Sequence, residues 1–136
     1  MNNHKAVMLD LKEIIETIGR VVFVTFEGHK QPSTNGGAEV FLIPGADTFA
    51  ERVNGKSINT YDNTFFVRII VNEDCSDDPL QWSDTRYDII NTILSDTEVW
   101  NNLVDRTVSG VTYDDLNTYP RSTFEILFEF TIREDC

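Results

Sequence analysis

Residues 123–133 read Thr-Phe-Glu-Ile-Leu-Phe-Glu-Phe-Thr-Ile-Arg. Phe124, Ile126, Phe128, Phe130 and Ile132 fall on one parity, and Glu125, Glu129, Thr131 and Arg133 on the other. Alternation with period two predicts a strand that buries one face and leaves the other wet. β-branched and aromatic residues dominate the run, and neither Gly nor Pro interrupts it. Burying the five side chains contributes roughly 8–15 kcal/mol before entropy, at about 1.5–3 kcal/mol each. Leu127 is the apolar exception on the polar parity.

The remaining pattern supplies the other elements. Val7, Met8, Leu11, Ile14, Ile15 and Ile18 recur at three and four, which predicts an amphipathic helix followed by Gly19 as a C-cap. A helix of this kind packs on its own sheet more often than it docks a partner. Residues 21–26 predict a short strand, 28–37 a loop rich in Gly, Pro, Ser, Thr and Asn, and 40–43 a strand stopped by Pro44-Gly45. Residues 46–63, with Phe49, Val53 and Ile58 as their clear apolar anchors, predict a long loop with turns at Asn54-Gly55 and 59–63. Residues 64–71 predict a strand that is apolar on both faces and therefore central. After the acidic loop 72–79, Trp82 precedes a helix capped by Ser83 or Asp84, with Tyr87, Ile90, Ile93 and Leu94 on its buried stripe. Ser95 and Glu98 have capping-box spacing for a short helix over 97–104 carrying Val99, Trp100 and Leu103. Residues 108–113 predict the fourth strand. This order implies one α+β domain over 1–136: an N-terminal helix and a mainly antiparallel sheet of about five strands, covered on one face by helices.

Composition narrows the function. The 136 residues are 40% hydrophobic and 25% charged, ordinary values for a folded domain. An excess of 23 Asp and Glu over 11 Lys and Arg gives a net charge of −12. That field repels nucleic acid and anionic membrane. The Lys and Arg residues are scattered, with no basic stripe and no aromatic stacking platform. Cys75 and Cys136 make no disulfide framework and have no metal-spaced neighbours, so both are expected as free thiols. No signal-peptide core and no run of about 20 apolar residues is present, so a soluble intracellular protein, or a component of a larger particle, is expected.

The chemistry-bearing motifs fail one by one. Gly55-Lys56-Ser57 has the end of a phosphate-binding loop, but Ala50 stands where its first Gly is required. Glu73, Asp74, Asp77 and Asp78 offer oxygens to a hard divalent cation. Read as a calcium loop from Asp74, the segment places Pro79 where Gly is needed and Thr85 where the bidentate Glu is needed. A solvated acidic turn is the simpler reading. His4 and His29 stand alone and read as surface histidines. Glu125 and Glu129 share a strand face at roughly 13 Å, beyond the roughly 5–9.5 Å of glycosidase carboxylate pairs. No catalytic, cofactor-binding or metal-ligating constellation is expected, and no enzyme. Arg68, set between Val67 and Ile69 in the central strand, calls for a carboxylate partner within the chain or in a neighbouring subunit.

The second half resembles the lambda-type phage tail terminator family, the head–tail joining proteins of the minor tail protein U group. The likeness runs through the strand 65–71, the acidic loop, Trp82 and a helix with Arg86 and Ile90. It continues with Ser95-Asp96, the short helix ending Asn102-Leu103-Val104, Ser109-Gly110-Val111-Thr112-Tyr113-Asp114 and the long final strand, covering 65–134. The order and spacing of elements carry it, and the loops 28–37 and 46–63 depart from it. The resemblance implies a structural virion protein: a hexameric ring that ends tail-tube polymerisation and joins the tail to the neck. Its partners would be the tail tube protein and a neck or head-completion protein. It would sit at the tail–neck junction after assembly in the host cytoplasm, with genomic DNA passing through the lumen unheld. Arg68, Glu125, Leu127 and Glu129 on the sheet, and Phe49, Arg52 and Lys56 in the long loop, are the candidate interface residues. Two alternatives are another neck or tail-completion protein and, from a different class, a small divalent-cation-dependent binding domain or hydrolase built on the acidic loop.

Overall fold

In the computed structural model, which describes residues 3–26, 37–54, 57–95, 103–113 and 121–135, the alternating C-terminal stretch is a strand, β5 (Arg121–Asp135). It is preceded in order by α1 (Asn3–Glu16), β1 (Val21–Thr25), β2 (Ala38–Asn54), β3 (Ser57–Asp74), α2 (Gln81–Ser95) and β4 (Leu103–Tyr113). The fold class is α+β, as the pattern implies. The five strands form one mixed sheet in the order β1-β2-β3-β5-β4. β1 pairs with β2 in parallel, and the remaining pairs are antiparallel. β3 is the central strand.

Parity decides which side of the sheet is covered. Phe124, Ile126, Phe128, Phe130 and Ile132 of β5 are all buried, as are Phe65, Val67, Ile69 and Val71 of β3 and Val40 and Leu42 of β2. They form one core with Val7, Leu11, Ile14, Ile15 and Ile18 of the N-terminal helical segment and Ile89 and Ile93 of α2. Both helices therefore lie on this face. Rings order its middle: Phe65 and Phe130 have centroids 5.8 Å apart, and Phe128 and Phe130 stack at 5.7 Å. Trp82 meets Tyr113 edge-on at 5.1 Å.

The turn into β2 requires its glycine. Gly37 has φ +106°, and a Cβ there would run into Val22 and the Arg20 carbonyl. The Arg20 carbonyl also accepts the Ala38 amide at 2.9 Å, fixing where β2 starts beside β1.

Four expectations are corrected. Pro44-Gly45 does not stop β2, because the strand absorbs the pair as a register shift between Pro44 and Asp47 and runs on to Asn54. A Cβ on Gly45 would approach the Phe66 Cβ to 2.9 Å, so glycine lets the strands close up at the irregularity. Residues 46–63 are consequently not a long loop. Residues 46–54 and 57–63 are the far halves of β2 and β3, paired as far as Asn54 with Ser57, and β5 pairs the other side of β3 out to Thr60 with Asp135. Ladder bonds on both sides of β3 override the weak strand propensity of the Asn-rich 59–63 segment. At the other end, Leu103 and Val104 begin β4 instead of ending a helix; residues 96–102 lie outside the described residues. Trp82 lies inside α2, which starts at Gln81.

The buried stripe of α2 is also displaced. Thr85, Ile89 and Ile93 face the core, Ile90 flanks it, and Tyr87 and Leu94 point to solvent. His4 is not a free surface residue: its ring packs on Phe65 at 4.1 Å. Among the described residues no helix is long and apolar enough to cross a membrane.

Candidate functional site

The face of the sheet opposite the helices carries the other parity of each strand. Cross-strand register sets its rows. Ile43, Arg68 and Leu127 are neighbours in one row, and Phe41, Ile70, Glu125 and Thr112 in the next. Glu129 lies between Phe66 and Thr107. Ile43, Phe66, Ile70 and Leu127 are half-buried with no helix above them among the described residues. Phe41 is buried further by the Phe23 ring, edge-on at 5.8 Å.

Arg68 stands in the middle of this surface. Its Nε donates to Glu125 Oε1, a diagonal cross-strand pair, with the guanidinium side chain 46% exposed and the carboxylate 27%. The carboxylate partner that Arg68 calls for is thus in its own chain. Leu127 is the residue directly opposite Arg68 on β5. An apolar residue between two acids is then the cross-strand neighbour of a long side chain whose methylenes favour apolar cover. Polar pairs border the patch: Thr64 and Thr131 hydroxyls at 3.0 Å, Asn72 Nδ2 donating to Thr123 Oγ1 at 3.4 Å, and Arg133 Nε donating to Asp62 Oδ1 at 3.3 Å. A shallow concavity at the β4 side, lined by Ile70, Thr112, Tyr113, Thr123, Phe124 and Glu125, completes the relief.

Of the seven residues singled out from sequence, the sheet brings Arg68, Glu125, Leu127 and Glu129 onto this one face. Phe49 and Arg52 lie on β2 opposite Asn63 and Thr60. Lys56 lies outside the described residues.

The acidic loop resolves into local structure. Asp74 Oδ1 accepts the Ser76 amide at 3.0 Å, and Asp78 Oδ1 accepts the Leu80 amide at 3.0 Å, while the Asp78 carbonyl accepts the amide of Gln81 at the start of α2. Glu73 turns the other way and is fully buried. Thr85 Oγ1 donates to its Oε2 at 2.8 Å, and Oε1 has no hydrogen-bond partner among the described residues. Burial raises the Glu73 carboxyl above its ordinary range, against the Thr85 hydrogen bond and the Arg20 charge; Asp84 adds to the rise. Arg20 itself is ion-paired with Asp88. Cys75, a free cysteine, is buried too, and burial is the first cause that pushes its thiol up. Among the described residues no group of three or more His, Cys, Asp or Glu is arranged to hold a metal ion.

No protein-family model matches the chain, and no curated protein matches it. Among solved structures the chain is similar to one described as "Virion of native gene transfer agent (GTA) particle". The likeness has 10% sequence identity and a TM-score of 0.44, over 97% of this chain and 92% of that one. A likeness of that degree decides nothing about function.

Two features escaped the sequence reading. Glu73 continues the buried parity of Phe65, Val67, Ile69 and Val71, and Thr85 lies one turn before Ile89 on the buried stripe of α2. Extending both periods by one step finds the pair. The outward apolar residues of α2 had a signal as well, their spacing of seven.

Proposed function

We propose that this chain is a structural virion protein of the tail-terminator type, acting by assembly and without catalysis. Copies join in a hexameric ring that ends tail-tube polymerisation and links the tail to the neck, with genomic DNA passing through the lumen unbound. The tail tube protein and a neck or head-completion protein are its partners, at the tail–neck junction.

The observation that supports this reading is the uncovered face of the sheet. Ile43, Phe66, Ile70 and Leu127 surround the ion pair of Arg68 with Glu125 on a five-stranded sheet. Contiguous apolar surface with a polar border marks an interaction site rather than solvent-facing surface. The choice of terminator among assembly proteins comes from the order of elements over 65–134, which resembles that family. The net charge of −12 suits a channel that DNA slides through, because like charge opposes sticking to phosphate.

Electron microscopy of particles assembled without the protein tests the reading. Overlong tails are expected. Tails of normal length that fail to join heads would instead place the protein among the connectors of the neck.

A further inference from the structure

We infer that Arg20 exchanges carboxylate partners under the control of one proton, held by Asp88 while Glu73 is neutral and drawn to Glu73 when it ionises. Glu73 lies on the helix side of β3 and is fully buried. Thr85 Oγ1 of α2 donates to its Oε2 at 2.8 Å, and Oε1 is buried with no hydrogen-bond partner among the described residues. A neutral carboxyl tolerates that arrangement at the cost of one missing hydrogen bond. A carboxylate does not, because an ion taken out of water needs an opposite charge or further donors.

The groups around Glu73 decide where that charge comes from. Burial is the chief reason the carboxyl keeps its proton above the ordinary glutamate range, opposed by the Thr85 hydrogen bond and the Arg20 charge and aided by Asp84. Next along β3, Asp74 accepts the Ser76 amide and Cys75 is a buried thiol. β2 and β5 oppose Glu73 with Ala38 and Ser122, which carry no charge. Arg20, between α1 and β1, is therefore the cation that acts on Glu73 among the described residues.

In the structure the Arg20 Nη1 donates instead to Asp88 Oδ2 on α2. The Arg20 carbonyl accepts the Ala38 amide at 2.9 Å, so its backbone is held and the exchange is a rotation of one long side chain. Asp88, with its side chain 38% exposed, is left to water when released. As pH rises through the folded Glu73 value, the segment between α1 and β1 is untied from α2 and tied to β3. The cluster lies across the sheet from the face proposed for ring assembly, so the inference does not rest on that proposal.

Carbon-13 NMR of the side-chain carboxyls of the full chain, followed through a pH titration, tests the exchange. The Glu73 resonance is expected to titrate above the ordinary glutamate value of about 4.3. The Asp88 resonance is expected to step at the same midpoint, as it loses the guanidinium. Glu73→Gln should abolish the Asp88 step. Arg20→Met should abolish it too and should raise the Glu73 midpoint, because the charge that favours the ionised form is gone. Arg20 is partly exposed, so this second variant carries the test if Glu73→Gln fails to fold. An Asp88 resonance flat through the Glu73 midpoint, a step that survives Glu73→Gln, or a Glu73 midpoint unmoved in Arg20→Met overturns the inference.

Discussion

Arg68 on β3 pairs with Glu125 on β5 across the one face of the sheet that no helix covers among the described residues. The pair is partly exposed, so its coupling is expected to be small. A double-mutant cycle with Arg68→Met and Glu125→Gln, read by urea unfolding, should give about 0.2–1 kcal/mol and less at high salt. A coupling several times larger would mean that the pair is buried in an assembled form during the measurement.

Leu127 separates fold from assembly. Leu127→Lys places a charge opposite Arg68 on a half-buried site, with stability expected within about 1 kcal/mol of wild type. Ring formation, read by light scattering, should be lost. Retention of both fold and ring would make this face ordinary solvent-facing surface.

One residue further along β5 the expectation reverses. Phe128 is fully buried and stacked on Phe130. Phe128→Ala should cost about 3–5 kcal/mol, a large fraction of the about 5–15 kcal/mol typical of a domain. The check is the midpoint of urea unfolding. A shift no larger than that of Leu127→Lys would contradict the assignment of the two strand faces.

Much of this fold was readable where one period ran unbroken. β5 carries a clean alternation and the N-terminal helix a clean three–four stripe, and their buried residues follow it, while the run of β3, apolar on both faces, marks the central strand. The reading failed where local propensity opposed long-range pairing. Pro44-Gly45 and the Asn-rich 59–63 segment look like breaks in isolation. The first is held in β2 by its pairing with β3, and the second lies in β3, which is bonded on two sides, by β2 and by β5. The α2 stripe was misplaced because the helix is apolar on two sides, which a single stripe cannot describe. Of the interface candidates, Arg68, Glu125, Leu127 and Glu129 share a face by parity alone. Their ion pair depended on a register between strands more than fifty residues apart, which no local pattern states.

Glu73 predicts a pH dependence. Its carboxyl is raised in the folded chain, chiefly by burial, so the native state keeps a proton that the unfolded chain has already released. The associated stabilisation is full below the unfolded glutamate value, about 4.3, and is lost as pH rises through the higher folded value. Glu73→Gln keeps an acceptor for the Thr85 hydroxyl and removes the titration. Across that window, urea unfolding should show the variant gaining on wild type as pH increases. A stability difference that is constant with pH would contradict the burial of an ionisable carboxyl at this site.

The central claim, assembly into a ring through the open sheet face, is tested most directly by the mass and shape of the purified protein with and without tail tubes. Light scattering should give a mass of about six chains, or that mass on addition of tubes, and negative-stain images should show rings capping tube ends. A strict monomer that leaves tail tubes uncapped would contradict it.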